Sequence, residues 1–191
     1  WQEHYGDKTI TINQNGNVID DSLLSDDEME NVKVNIIGIL QSDAIRKLYE
    51  DEDISNNSDL IYDAVDILGS SGLICFADDT NMYNYQLFQS FYRKYTDGGG
   101  RDYICVYRVN RDASVTEMTF VYDDSRIQMI FNTAKFENHD WKFIATGIRD
   151  LKDMKLTEKG YFIYTYSNII AHGGLKEYFR VSPLTDECRK S

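Results

Sequence analysis

The segment from Tyr103 to Tyr166 constrains the fold more than any other part of the chain. Tyr103, Cys105, Tyr107 and Val109 alternate with Ile104, Val106 and Arg108. Thr116, Met118, Phe120 and Tyr122 follow, then Ile127, Met129 and Phe131, then Trp141, Phe143 and Ala145, and last a run from Tyr161 to Tyr166. Short polar breaks separate these runs: Asn110-Arg111-Asp112, Asp123-Asp124-Ser125, Asn138-His139-Asp140 and Glu158-Lys159-Gly160. A side chain at every second position marks one face of a strand, and breaks this short leave room only for hairpins. The pattern predicts an antiparallel meander in which residues 103–109, 116–122, 127–131 and 141–148 pair consecutively. Residues 151–156 read as a further strand, paired to 161–166. Gly173-Gly174 marks a turn, and residues 178–181 form a last strand before Ser182-Pro183, which holds the only proline.

The N-terminal half reads differently. Residues 8–12 and 18–19 flank Asn15-Gly16, a strong hairpin signal. Ser25-Asp26-Asp27-Glu28 has capping-box spacing, and its acids suit the positive end of a helix dipole. Met29, Val32, Ile36 and Leu40 then recur at helical spacing, with a break near Gln41-Ser42 and a short helix over 43–49. A helix over 59–68 buries Leu60, Ala64, Ile67 and Leu68 and stops at Gly69. Residues 73–77 are a short apolar strand. A helix over 83–95 carries an aromatic stripe of Tyr85, Phe88, Phe91, Tyr92 and Tyr95, expected to pack on the sheet, with a ligand-stacking wall as the alternative. Gly98-Gly99-Gly100 ends it and lacks the following Lys-Ser/Thr of a phosphate loop.

At 191 residues the chain is expected to form a single α+β domain: an N-terminal hairpin and about three helices on a mainly antiparallel, curved sheet, with a cone-like shape of the nuclear-transport-factor-2 type as the nearest analogy. The formal net charge of −12 argues against nucleic acid and against an anionic membrane surface. No apolar run reaches the roughly 18 residues of a membrane span. The acidic excess between Asp20 and Asp66 reads as a solvated face. Three cysteines do not make a disulfide framework. Cys75 and Cys105 are expected as free, buried thiols, although neighbouring strands could bring them face to face. The first residue is Trp1, and the chain is expected to continue beyond both ends in the natural protein.

Candidate chemistry is sparse. His4, His139 and His172 have no metal-ligand spacing, and no nucleophile elbow or His-Glu-x-x-His occurs. Asp78 and Asp79 follow a buried strand, where loops present functional groups, and with Asn81 they offer oxygens to a hard cation. Asp78 and His139 are the candidates for a catalytic base. Against these readings, Asp78-Asp79 is ordinary turn chemistry and His139 an exposed hairpin residue. No cofactor and no tight metal site are expected.

The segments Lys155-Leu-Thr-Glu-Lys-Gly-Tyr-Phe-Ile-Tyr-Thr-Tyr166 and Glu177-Tyr-Phe-Arg-Val-Ser-Pro-Leu-Thr-Asp-Glu-Cys-Arg189 resemble a family of uncharacterised proteins from gut clostridia and related Firmicutes. The resemblance implies a secreted or lipid-anchored, extracytoplasmic protein. Its motifs are a hairpin and the entry to a helix, and it brings no catalytic residues. The expected function is a non-catalytic cell-envelope or secreted module that binds a protein or a glycan. The alternatives are a small hydrolase or isomerase in a sheet-lined cavity, and a structural spacer. An exposed cluster of tyrosine or tryptophan favours the first, a deep pocket with a carboxylate or histidine facing a tyrosine the second.

Overall fold

A computed structural model describes the backbone of residues 2–5, 8–12, 18–19, 22–51, 58–78, 80–158, 161–170 and 174–183, and side chains within 22–50, 59–78, 80–158 and 161–166. The fold is α+β. Strands β1 (Gln2–Tyr5), β2 (Lys8–Ile12) and β3 (Val18–Ile19) form a small antiparallel sheet. The Asn-Gly turn itself lies outside the described residues. Helices α1 (Asp26–Leu40), α2 (Asp43–Asp51) and α3 (Ser58–Ser70) follow, then β4 (Cys75–Phe76) and α4 (Tyr85–Thr96). The meander comprises β5 (Asp102–Val109), β6 (Val115–Tyr122), β7 (Ile127–Glu137), β8 (Asp140–Leu156), β9 (Tyr161–Ile170) and β10 (Gly174–Pro183). With β4 it makes a seven-stranded sheet in the order β10-β9-β8-β7-β6-β5-β4, antiparallel except for the parallel β4–β5 pair.

The sheet curls strongly. Phe120 on β6 and Phe162 on β9 have ring centroids 5.3 Å apart, although two strands lie between them. In a flat sheet, strands about 4.8 Å apart would separate those rings by about 14 Å. The concave face is filled by Phe120, Phe162 and Tyr164 with Phe88 of α4, whose ring lies 4.5 Å from Phe162 and 6.0 Å from Phe120. Phe88 and Phe91 are buried and Tyr92 partly so; the stripe is core.

The helices α1–α3 cover the opposite face. Ile36, Leu40, Ile45, Leu60, Ala64 and Leu68 pack there with Tyr107, Val115, Phe136 and Trp141. Alternation along one strand does not reveal that both faces are buried, so Val115, Glu117, Thr119 and Val121 of β6 turn out as buried as Met118, Phe120 and Tyr122. The α1 capping box is present, with Glu28 N donating to Ser25 Oγ at 3.2 Å and Ser25 N to Glu28 Oε2 at 2.9 Å. Arg101 also binds Glu28, at 2.5 Å, and holds its carboxyl below the usual range.

Five expectations change. The strand expected over 73–77 is only Cys75–Phe76, because pairing to β5 is confined to those two residues. Strands 141–148 and 151–156 are one continuous 17-residue strand, β8, with a bulge at Leu151/Asp153. Arg149-Asp150 interrupts the apolar alternation, but each side chain has a partner within the sheet. Arg149 lies over Phe131 and Tyr166, at 5.0 and 4.6 Å, and Asp150 accepts from Gln128 Nε2 at 3.0 Å. Strand 127–131 likewise runs on to Glu137. Gly69 does not end α3: the helix continues to Ser70 and the left-handed residue is Gly72, φ 88°. Ser182-Pro183 does not open a helix, for both belong to β10, at the sheet edge where proline's missing N–H is tolerated.

Candidate functional site: a tyrosine-lined cleft

The turn after β4 sets up the most distinctive surface. Ala77 N donates to Thr80 Oγ1 at 2.8 Å, which closes the turn, and Tyr83 N donates to Cys75 O at 2.8 Å, which brings the chain back beside β4. Asn84 adopts φ 55°, a conformation asparagine tolerates, and its side-chain amide donates to Gly69 O (3.0 Å) and Leu73 O (2.7 Å). Gly69 lies in the last turn of α3, where its carbonyl also accepts from Gly72 N at 3.0 Å, and Leu73 lies just beyond the helix, so the Asn84 amide ties the end of α3 to the start of α4. Tyr83 is therefore laid across α3 at Gly69, where any Cβ would collide with its ring. Its hydroxyl donates to Asp66 Oδ1 at 2.5 Å, and that bond is the main reason the Tyr83 phenol ionises above its ordinary range.

Tyr62 sits one helical turn before Asp66 on α3, so both face the same side. The result is a cleft of about 550 Å³ between α3 and the β4–α4 connection, lined among others by Tyr62, Asp66, Asn81, Tyr83, Tyr85 and Gln86. Tyr62 and Tyr83 are 39% and 37% exposed. Among the described residues Asn81 Oδ1 has no hydrogen-bond partner. Asp66 is the one formally charged side chain among the described residues of the lining. The cleft offers aromatic faces with hydroxyl, amide and carboxylate groups at their edges, the Tyr83 hydroxyl being bonded to the Asp66 carboxylate.

Of the described residues singled out in the sequence, Asn81 and Tyr85, the first tyrosine of the α4 stripe, reach this cleft. Asp78 is tied through both carboxylate oxygens, to Arg108 and, at 3.1 Å, to Arg111 Nε. A cation there would have to displace two guanidinium groups. Asp79 lies outside the described residues, as do the side chains of His4 and His172. His139 is exposed at the tip of the β7–β8 hairpin, where Asn138 (φ 54°) and His139 (φ 63°) form a two-residue turn of the I′ kind. Asp78 and His139 are not hydrogen-bonded to each other. Among the described residues no three His, Cys, Asp or Glu side chains are arranged to hold a metal. Cys75 and Cys105 are free, and burial pushes each thiol up to about 12.

A second polar group went unseen in the sequence. Glu117 on β6 is fully buried on the α1–α3 face. It accepts from Thr119 Oγ1 at 2.5 Å and Asn132 Nδ2 at 3.0 Å, and Asn132 Oδ1 accepts from Thr146 Oγ1 at 3.0 Å. Cys105 Sγ lies 3.4 Å from Thr119 Oγ1. Burial raises the Glu117 carboxyl to about 7, opposed by its hydrogen bonds to Thr119, Asn132 and Cys105. Such a value suits a general acid, but Glu117 does not line the tyrosine cleft. Its sequence signal was a carboxylate inside Val115-Thr-Glu-Met-Thr-Phe-Val-Tyr122, a run with no turn residue. Tyr62 and Asp66 left only their four-residue spacing on a helix read for its apolar side.

No curated protein and no solved structure matches the chain. Residues 26–191, from α1 onward, match the model of a family of unknown function, DUF6070, and the chain belongs to that family.

Proposed function

We propose that this protein is a non-catalytic binding module for an uncharged glycan, held in the cleft of Tyr62, Tyr83 and Tyr85. The observation that carries the reading is the exposure of Tyr62 and Tyr83 around a polar cleft, with Tyr85 at its edge, while Phe88 and Phe91 of the α4 stripe are core. Tyrosine presents a large rigid face at low conformational cost, and the C–H face of a sugar ring stacks on it while ring hydroxyls bond to amide and carboxylate edges. Asp66 disfavours uronates and other anionic sugars. The extracytoplasmic setting, secreted or lipid-anchored, belongs to the same proposal and rests on the resemblance of residues 155–166 and 177–189. Among the described residues no helix is long and apolar enough to cross a membrane.

Calorimetric titration with neutral oligomers of glucose and N-acetylglucosamine, α- and β-linked, tests it. At least one series should bind, and Tyr62→Ala should weaken it tenfold or more, about 1.4 kcal/mol. Absence of binding across the panel, or binding indifferent to Tyr62→Ala, overturns the reading and leaves the spacer role.

A further inference from the structure

Another cleft lies at the opposite end of the α3–β4 connection, where the sheet edge is incomplete. β5 has eight residues, but β4, its outer neighbour, has two, paired only to Tyr107 and Arg108. Tyr107 N donates to Ile74 O at 2.8 Å, so the Tyr107 backbone groups point outward from β6. Backbone direction alternates along a strand, so those of Cys105 and Tyr103 point the same way. Tyr103 N is satisfied by Asp102 Oδ1 at 2.9 Å. The Tyr103 carbonyl and the Cys105 N–H and carbonyl have no backbone partner across that edge among the described residues. Beside them is a cleft of about 450 Å³, walled by Gly72 and Leu73 on one side and by Leu87 and Phe91 of α4 on the other. Leu87 is 53% exposed and Tyr103 41%.

We propose that this open edge is a strand-addition site, which takes an extended, uncharged polypeptide segment from a partner protein. An unpaired row of N–H and C=O groups is complementary to another extended backbone and to little else. Residues 102–105 offer about 13 Å of edge, room for some four residues. Charge agrees: among the described residues the cleft holds two charged side chains, Lys94 and Asp102, which neutralise each other at 3.0 Å, and the other described walls carry no charge. A second copy is a poorer occupant than a single segment. Its β5 edge is recessed between the same walls, and two recessed edges do not approach to the roughly 4.8 Å that strand pairing requires. The site is independent of the tyrosine cleft.

The test uses the whole chain, labelled for amide NMR, and two blocked hexapeptides of alternating valine and threonine. One is unmodified; the other is N-methylated at every residue and cannot donate. The unmodified peptide should shift the Cys105 amide and its neighbours saturably. The methylated peptide should leave them in place. Leu87→Lys, a change to an exposed wall residue, should weaken the interaction at least tenfold, and Tyr62→Ala should leave it unchanged. No shift at about 1 mM peptide, equal shifts from the methylated peptide, or shifts centred away from residues 103–106 would overturn the proposal. A dimer in solution that protects the Cys105 amide would overturn it too, in favour of a second copy.

Discussion

Both faces of the large sheet are buried around β6, yet they are built on different physics. The concave face is a contact between rings: Phe88, Phe120, Phe162 and Tyr164 meet edge to face or tilted, with centroids 4.5–6.0 Å apart. Its stabilisation comes from apolar area and dispersion and does not depend on pH. The opposite face carries a polar row, Tyr107, Glu117, Asn132 and Thr146, across four strands between two apolar clusters. Glu117 has hydroxyl and amide partners and no cation, so burial dominates its chemistry. That row contributes little net energy, but it fixes register. A one-residue slip of β6 would drive the Glu117 carboxyl among the aromatic rings.

The comparison is open to breaking. Phe88→Ala should have the largest effect, a loss of about 3–5 kcal/mol in denaturant unfolding, since it empties the middle of the concave face. A loss below about 1 kcal/mol would mean that the rings do not hold that face together. Next comes the pH dependence of Glu117. Its folded value, about 7, lies above its ordinary 4.5, so the folded state binds the proton more tightly than the unfolded chain. Stability from this group is complete below pH 4.5, falls as pH rises to about 7 and levels off above, a total of about 3 kcal/mol. Glu117→Gln should flatten that slope while Phe88→Ala leaves it intact; equal slopes in wild type and Glu117→Gln would remove the distinction between the faces. Asn132→Leu sharpens the point: with one donor to the carboxylate gone, the fall in stability should extend to higher pH. The smallest effect is Ser25→Ala, which uncaps α1 at the rim of the polar face and should cost about 1 kcal/mol by thermal or denaturant unfolding.

Much of the fold was legible in the residues. The capping box at Ser25, the break at Gln41-Ser42 and the hairpins at Asn110, Asp123 and Asn138 are local chemistry, set by residues a few positions apart. What misled was polar chemistry inside strands. Arg149-Asp150 interrupts the apolar alternation and so divides 141–148 from 151–156 in the sequence, while Phe131, Tyr166 and Gln128, distant in sequence, make it strand. The site was less legible. The loop after β4 was the right place to look, but Asp78 there is spent on two arginines, and the groups that shape the cleft are Tyr62, Asp66 and Tyr83.

The sequence by itself determined the element types, the order of the meander and the aromatic character of α4, because propensity, capping and two-residue periodicity are local. Only the tertiary structure decided that the sheet curls until β6 meets β9, that both faces are covered, and that β4 stops two residues into its pairing. It also laid Tyr83 over Gly69. Each of these depends on side chains tens of residues apart competing for the same space, and that competition leaves no periodic trace in the chain.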